Sequence, residues 1–456
     1  MNRYDVVIIG GGQAGVPLAF ALASAGKRVA LVERKHLGGS CVNFGCTPTK
    51  TAIASARVAH LARRGAEFGL RIPTVEVDFG TVIRRARDLA ASFRSELEQR
   101  FKGTENPKWI SGHARISGRE GQQFLIKAGQ DTIVAGEIVL DTGTRSAIPS
   151  IEGLSDVAFI HAGNWLDHDT LPQRLIVIGG GVIALEMAQF YRRMGSQVVV
   201  MEAKERIAGT EDVEVAQALQ RIFEREGIEF HLGAKIERVA MRGNDCVAKI
   251  GAKENAGSHL FVAAGRKPNT DDLGLETIGV KTDRGIIEVD ERLATNVRGI
   301  WAAGDLRGGP MFTHTAWDDH RVLLSQIAGD RKRTTQRVVP YAIFTDPEVG
   351  RVGMTEQQAR ESGTAIKVAR FEIANNSKAL EISETDGFIK IIADASTGQI
   401  IGAAVMANEG AELVHIFIEA MNARAPYTTI RDAIFIHPTL AEGVQSAVMM
   451  LDSKLS

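Results

Sequence analysis

Two stretches of this chain repeat one unit in one register, and few folds accommodate that. The first holds the apolar run Val6-Val7-Ile8-Ile9, expected as a strand over residues 4–9. A run without polar alternation suits a strand covered on both faces. It feeds Gly10-Gly11-Gly12-Gln13-Ala14-Gly15, an Ala/Leu-rich helix over 17–25, a strand over 27–32 and Glu33. The second copy is Leu175-Ile176-Val177-Ile178, the turn Gly179-Gly180-Gly181-Val182-Ile183-Ala184, a helix over 185–194, a strand over 197–201 and Glu202. The offset from Gly10 to Gly179 equals that from Glu33 to Glu202. Each unit reads as a dinucleotide-binding turn. Gly10 permits the tight bend, Gly12 lets backbone reach a pyrophosphate, and Gly15 lets helix and strand pack closely. The helix N-terminus offers free N–H groups to phosphate, and the acid accepts from a ribose hydroxyl. At 456 residues the chain is too long for one core, so several domains are expected.

Between the copies lies Gly38-Gly39-Ser40-Cys41-Val42-Asn43-Phe44-Gly45-Cys46-Thr47-Pro48-Thr49-Lys50, with two of the chain's three cysteines. Intracellular chains seldom keep a disulfide unless it is catalytic or redox-sensing. The glycines let backbone approach a large flat group, and Lys50 sets a positive charge beside it. This predicts a redox pair trading electrons with a bound cofactor. Two structural thiols near a turn, or half of a metal site, are the competing readings. No second cysteine or histidine cluster has metal-ligand spacing, so no metal site is expected. Cys246, in a strand pattern, reads as a small buried apolar residue.

Around these landmarks, helices are expected over 47–64 and 79–101, a strand over 109–116, a hairpin over 122–134, and a strand over 137–140 running into Asp141-Thr142-Gly143-Thr144-Arg145. Pro149 and Gly153 mark a linker. A helix over 211–226, short strands over 228–250 and a strand over 259–263 follow, the last leading into Ala264-Gly265-Arg266. A strand over 299–303 ends at Gly304-Asp305, offering a carboxylate where ligands of open α/β sheets bind. From Val338 the texture changes. Strands over 341–344, 366–373, 388–393 and 400–407 alternate with helices over 355–362, 409–423 and 441–451, an α+β pattern with a Met-rich end at Met449 and Met450. The net charge is −1, from 54 basic and 55 acidic residues, which gives no global field to hold nucleic acid or an anionic membrane. No run of about 18 apolar residues spans a bilayer, and no signal-peptide layout opens the chain, so a cytoplasmic protein is expected.

Taken together, Cys41 to Lys50, the two glycine turns, residues 295–305 and His437-Pro438-Thr439-Leu440-Ala441-Glu442 resemble the class I pyridine nucleotide–disulfide oxidoreductases. That family includes dihydrolipoamide dehydrogenase, glutathione reductase and mercuric reductase. Gly45 to Thr51, residues 55–64 and Gly103-Thr104-Glu105-Asn106 look most like a mercuric-reductase-like bacterial subgroup. The resemblance spans essentially the whole chain. It implies an α/β fold with two Rossmann-like domains and a C-terminal α+β dimerisation domain. The expected order is an FAD domain over 1–150, an NAD(P) domain over 151–270, a central segment completing the FAD site over 271–337 and an interface domain over 338–456. It also implies a homodimer whose active site draws on both subunits.

Residue by residue, the resemblance implies that Cys41 attacks substrate and Cys46 lies against the flavin, with Lys50 near its N5 edge and paired to Glu186. His437, oriented by Glu442, would reach the partner's thiols as acid and base, where a lone His before Pro is otherwise a turn residue. Gly10, Gly12, Gln13, Ala14, Gly15, Glu33, Arg34 and Ser40 would hold the ADP half of FAD, with Ala114 by the adenine. Thr142, Gly143, Thr144, Gly304 and Asp305 would border the flavin, and Met311, Phe312, Thr313 and His314 would line it by their backbone. Asp141 stands where many relatives have alanine. Gly179, Gly181, Val182, Ile183, Ala184, Glu186, Glu202, Ile236 and Gly265 match NAD(P)-contacting positions. Glu202 accepts from a free 2′-hydroxyl and repels a 2′-phosphate, which predicts NADH over NADPH, although Lys204 and Arg206 lie close behind. The expected acceptor is a small disulfide. A soft metal ion, Hg(II) or Cu(II), bound by the two thiolates is the alternative. The tail carries no cysteine pair of the kind that serves mercuric reductases proper. A non-catalytic flavin-bound structural or regulatory protein is the reading from another class, opposed by the intact set of Cys41, Cys46, Lys50, His437 and Glu442.

Overall fold

The computed structural model describes residues 2–452. Residues Val6 to Ile9 are at most 3% exposed, so the apolar run is covered on both faces. The strand Asn2–Ile9 pairs in parallel with Val29–Glu33 on one side and Asp131–Leu140 on the other. Lys108–Ser111 extends this sheet beyond Val29–Glu33, and Ile300–Ala302 adds in parallel to Asp131–Leu140. The far-off strand Ile300–Ala302 thereby delivers Gly304 and Asp305 to the edge where the first glycine turn opens. The second sheet is parallel throughout, in the order Ile228–His231, Gln197–Met201, Arg174–Ile178, His259–Val262, Ile160–His161. Beside it lies an antiparallel sheet of Arg238–Arg242, Asp245–Ile250 and Lys253–Gly257, where Cys246 is buried as expected.

Two strand readings need correction. The strand expected over 109–116 is two strands at opposite edges of the first sheet, Lys108–Ser111 and Ala114–Glu120. Gly112 between them takes φ 148°, and a Cβ there would come within 2.8 Å of Gly129 Cα. The second arm of the expected hairpin and the strand over 137–140 are one strand, Asp131–Leu140. Its first half pairs antiparallel with Gln123–Ala128 while its length runs parallel to Asn2–Ile9.

The C-terminal sheet is antiparallel, ordered Pro340–Ile343, Glu348–Gly353, Ile400–Ala407, Phe388–Asp394, Ile366–Glu372. Glu348–Gly353 was not expected, because Gly350 and Gly353 interrupt its apolar pattern. The close packing of Gly410 explains one of them: a Cβ on Gly350 would stand 2.3 Å from Gly410 O. The helix expected over 409–423 is broken into Gly410–Leu413 and His415–Asn422.

One core joins all three parts. Ala52 and Ala56 of the helix Cys46–Arg63, Phe79 and Ile83 of Phe79–Lys102, Phe190 and Tyr191 of Val182–Met194, and Ile343, Phe388 and Met406 of the C-terminal sheet pack together. Charges reinforce this junction. Asp346 accepts from Arg57 at 2.6 Å and from Arg193 at 2.5 Å, and Arg193 also pairs with Glu226 at 2.7 Å. The helix that begins at Cys46 is therefore fixed at the meeting point of both sheets and the C-terminal unit. Among the described residues, no helix is long and apolar enough to cross a membrane.

Candidate active site

The cysteine segment is a short helix, a break and a long helix. Gly38 and Gly39 take φ 91° and 61°, and Gly39–Asn43 carries Cys41. Gly45 breaks the chain, and Cys46 opens the 18-residue helix Cys46–Arg63. A thiol at a helix N-terminus sees the positive end of the dipole, which favours its thiolate. Both cysteines are free. Cys46 Sγ lies 3.1 Å from Thr313 Oγ1. The Cys46 thiol is lowered to about 6, first by a hydrogen bond from Cys41, then by Thr313 and Lys50, with burial and Glu186 opposing. Cys41 is pushed up by that same bond and by burial. The helix N-terminus, Thr313 and Lys50 thus favour negative charge on Cys46 over Cys41.

Lys50 follows Cys46 by one helical turn. Its Nζ bonds Glu186 Oε2 at 2.8 Å and lies 4.5 Å from the centre of the Phe344 ring. Glu186 is 4% exposed, and its Oε1 accepts from Phe344 N at 2.9 Å. A buried carboxylate with two partners remains where packing sets it, so Lys50 is held at the thiol rather than free to swing.

The two glycine turns are built alike. Glu33 accepts from Gly11 N at 2.8 Å and Lys35 N at 2.6 Å, and Glu202 accepts from Gly180 N at 2.6 Å and Lys204 N at 2.8 Å. Gly10 and Gly179 take φ 111° and 113°. A Cβ on Gly10 would stand 2.1 Å from Asp141 O, and one on Gly15 2.3 Å from Gly10 O. These turns fit a pyrophosphate each, with an oriented carboxylate at the ribose end. Gln13 bonds Gly38 O at 3.0 Å, tying the first turn to the cysteine segment. Ala14 and Ala114 are buried, Ser40 is half-buried and Arg34 is exposed. In the second turn Gly181 is exposed, Val182 and Ile183 are half-buried and Ala184 is buried. Ile236 packs into the core under the second sheet.

At the first sheet's edge, Thr144 Oγ1 donates to Asp305 Oδ2 at 2.8 Å, and Arg266 Nε donates to Thr144 Oγ1 at 2.6 Å. Thr142 and Gly143 are tied to Asn269, through Thr142 Oγ1 to Asn269 O at 2.7 Å and Asn269 N to Gly143 O at 2.9 Å. Gly304 N donates to the fully buried Asp319 at 2.9 Å. Gly265, at φ 124°, accepts from Ala147 N at 2.9 Å. Met311, Phe312 and His314 flank Thr313. Phe312 stacks on His314 and on Tyr341, with interplanar angles of 7° and 8°.

His437 Nδ1 lies 3.0 Å from Glu442 Oε1, and Glu442 Oε2 also accepts from Thr439 N at 2.9 Å. That backbone bond is the first cause lowering Glu442, so the carboxylate stays charged beside the imidazole. The His437 side chain is 69% exposed, and among the described residues no hydrogen bond joins it to a cysteine of its own chain. Sequence reasoning missed the Thr313 hydroxyl, Phe344 and Asn269 as contributors. Phe344 and Glu186 are 158 positions apart, and no local pattern reports such a pairing.

Enzymes that hold an electron pair in a dithiol and exchange it through two dinucleotides form one class, the flavoprotein disulfide reductases, and this fold and site fall within it. The family profile described as "Pyridine nucleotide-disulphide oxidoreductase" matches residues 4–319, and that of its dimerisation domain matches residues 339–448. The chain belongs to this family of FAD- and NAD(P)-binding oxidoreductases. It is 33% identical, over 97% of its length and 98% of the relative's, to a probable pyridine nucleotide-disulfide oxidoreductase, RclA, of Escherichia coli K12. It is 34% identical to a dihydrolipoyl dehydrogenase of Rhizobium etli, covering 98% of each chain. Among solved structures, the Cu(II) complex of the HOCl-induced flavoprotein disulfide reductase RclA from Escherichia coli matches with a TM-score of 0.90 at 32% identity, over 99% of this chain and 100% of that one.

Proposed function

We propose that this enzyme carries an electron pair from NADH to the Cys41–Cys46 pair and on to a small disulfide. The observation that carries the reading is the setting of Cys46: it opens the helix Cys46–Arg63, lies 3.1 Å from Thr313 Oγ1 and has Lys50 one turn on, all of which favour its thiolate over that of Cys41. Bound FAD supplies the relay between a two-electron hydride donor and the sulfur pair. Cys41 therefore needs a base before it can attack an acceptor sulfur. His437 of the partner subunit, oriented by Glu442, takes that proton. The Cys41 thiolate then forms a mixed disulfide, and His437 returns the proton to the departing thiol. The Cys46 thiolate attacks Cys41 Sγ, breaks the mixed disulfide, expels the second sulfur as a thiolate that takes its proton from solvent, and closes the Cys41–Cys46 disulfide. Lys50 stabilises negative charge beside Cys46 throughout. The match to the family's dimerisation domain supports the homodimer on which this transfer depends. We place the enzyme in the cytoplasm, where disulfides are reduced to thiols.

Support for NADH comes from Glu202, which is oriented as Glu33 is. Arg206 is committed to Gly209 O at 2.9 Å and Glu211 O at 3.3 Å, away from the carboxylate. Higher kcat/KM with NADPH than with NADH would refute this choice.

A second reading, reduction of a soft metal ion by the two thiolates, is favoured by the Cu(II) complex of the Escherichia coli relative. The discriminating experiment is turnover of His437→Gln with lipoamide, glutathione disulfide, Cu(II) and Hg(II). Loss of general acid–base catalysis lowers disulfide turnover by about 10²–10⁴-fold, whereas metal reduction changes little, because the metal ion itself displaces the Cys41 proton and no leaving thiol needs one. Equal losses with every acceptor would sink the disulfide mechanism as drawn.

A further inference from the structure

Asp141 is an acid in a place suited to anions. It follows the strand Asp131–Leu140 and is 5% exposed. Its Oδ2 accepts from the N–H of Gly15 at 2.7 Å, the first residue of the helix Gly15–Ser24. This is its one side-chain hydrogen bond among the described residues. The carboxyl is wedged among three glycines. Oδ2 lies 2.9 Å from where a Cβ on Gly12 would stand and 3.0 Å from one on Gly15, and Oδ1 lies 2.8 Å from one on Gly304. One oxygen thus faces the turn that fits a pyrophosphate, and the other faces the loop carrying Asp305.

A charged carboxylate here would be unfavourable twice over. It would be buried with a single hydrogen bond, and it would repel an anionic ligand on the same turn. The groups facing it add to this: Glu33 from Val29–Glu33, Asp305 from its loop and Asp319 from the helix Thr313–Ala328. The cations of that corner are spent on the other acids: Arg307 and Arg337 pair with Asp319 at 2.8 Å and 2.5 Å, and Arg266 lies 3.8 Å from Asp305. Burial first, then these three acids, hold the Asp141 carboxyl well above the ordinary range, against the pull of the Gly15 bond. A neutral carboxylic acid removes both penalties. It still accepts from Gly15 and keeps one O–H to donate.

We propose that Asp141 serves as a neutral acid in the flavin site, keeping the Gly10–Gly15 turn free of negative charge for the pyrophosphate of FAD, so that flavin retention depends on one proton. The proton is held, and FAD with it, below the pKa of Asp141 in the folded protein. Above that pKa the carboxylate repels the phosphates, and the Kd for FAD rises about tenfold per pH unit.

The test is flavin release from the FAD-loaded enzyme, read by ultrafiltration and flavin fluorescence from neutral to alkaline pH, with far-UV circular dichroism at each pH to show that the fold persists. The natural enzyme is expected to lose FAD along a one-proton slope. Asp141→Asn keeps a donor and cannot ionise, so its retention is expected to be flat with pH. A flat profile for the natural enzyme overturns the proposal whatever the variant does. So does an Asp141→Asn profile with the natural slope. The proposal rests on FAD binding at this turn. A protein that takes up no FAD at any pH sinks that binding reading, whereas one that holds it without pH dependence sinks only the role of Asp141.

Discussion

Cys46 decides what the site can do, because its charge is set by identifiable neighbours. With its thiol lowered to about 6, the reduced enzyme carries a Cys46 thiolate at neutral pH. The alkylation rate of Cys46 in a Cys41→Ser background is not a fair probe, since Cys41 supplies the main hydrogen bond. The intact dithiol is the right material, with the modified residue identified by mass spectrometry. Its Cys46 rate is expected to rise as pH increases through about 6 and to level off above, because the thiolate is the nucleophile. Thr313→Val removes one donor to that sulfur at nearly constant volume. The midpoint is expected to move up by about one unit, equivalent to roughly 1.4 kcal/mol, so that alkylation on the acid side slows about tenfold. An unmoved midpoint would show that the 3.1 Å contact does not stabilise charge.

At the scale of elements, the site is a tether between two helices, with Lys50 on Cys46–Arg63 and Glu186 on Val182–Met194. The two charges act on Cys46 with opposite sign, Lys50 lowering its pKa and Glu186 raising it. Lys50→Met is therefore expected to raise the alkylation midpoint and Glu186→Gln to lower it. Both are expected to cost stability, because each leaves a buried or half-buried partner without its ion pair, at about 1–3 kcal/mol by denaturant unfolding. Shifts of the same sign in both variants would contradict the electrostatic assignment. The elements themselves were largely legible. Both dinucleotide units were read from apolar runs and glycines because each is local, completed within a few dozen residues. The failures share a cause. Gly112 hid a chain reversal that sends Ala114–Glu120 to the opposite edge of the sheet, and Gly350 and Gly353 masked the strand Glu348–Gly353, where Gly350 answers to the packing of Gly410 and Gly353 to the backbone of Ile401 on the neighbouring strand. Tertiary contact, not local propensity, selected those residues.

At the scale of the whole molecule, the proposed mechanism calls for a base from the second subunit. His437 sits in an exposed segment with Ile434 at 99% and Ile436 at 79% exposure, apolar side chains suited to burial against a second copy. A single sequence could supply the dyad only through resemblance, because nothing local says which subunit a histidine serves. Symmetry makes the question decidable. On the proposed mechanism, each site of a two-fold dimer takes Cys41 from one chain and His437 from the other. Cys41→Ser and His437→Gln homodimers are each expected to be inactive toward disulfides. Unfolded together and refolded, they form mixed dimers in which one site carries both defects and the other carries neither. With random pairing about half of the dimers are mixed and half of their sites intact, so disulfide turnover is expected to return to about a quarter of that of the natural enzyme. Were His437 to serve the thiols of its own chain, every site in the mixture would carry one defect and no activity would return. Recovery near a quarter therefore places the base across the interface, and its absence, with mixed dimers demonstrated by mass spectrometry, overturns the shared site.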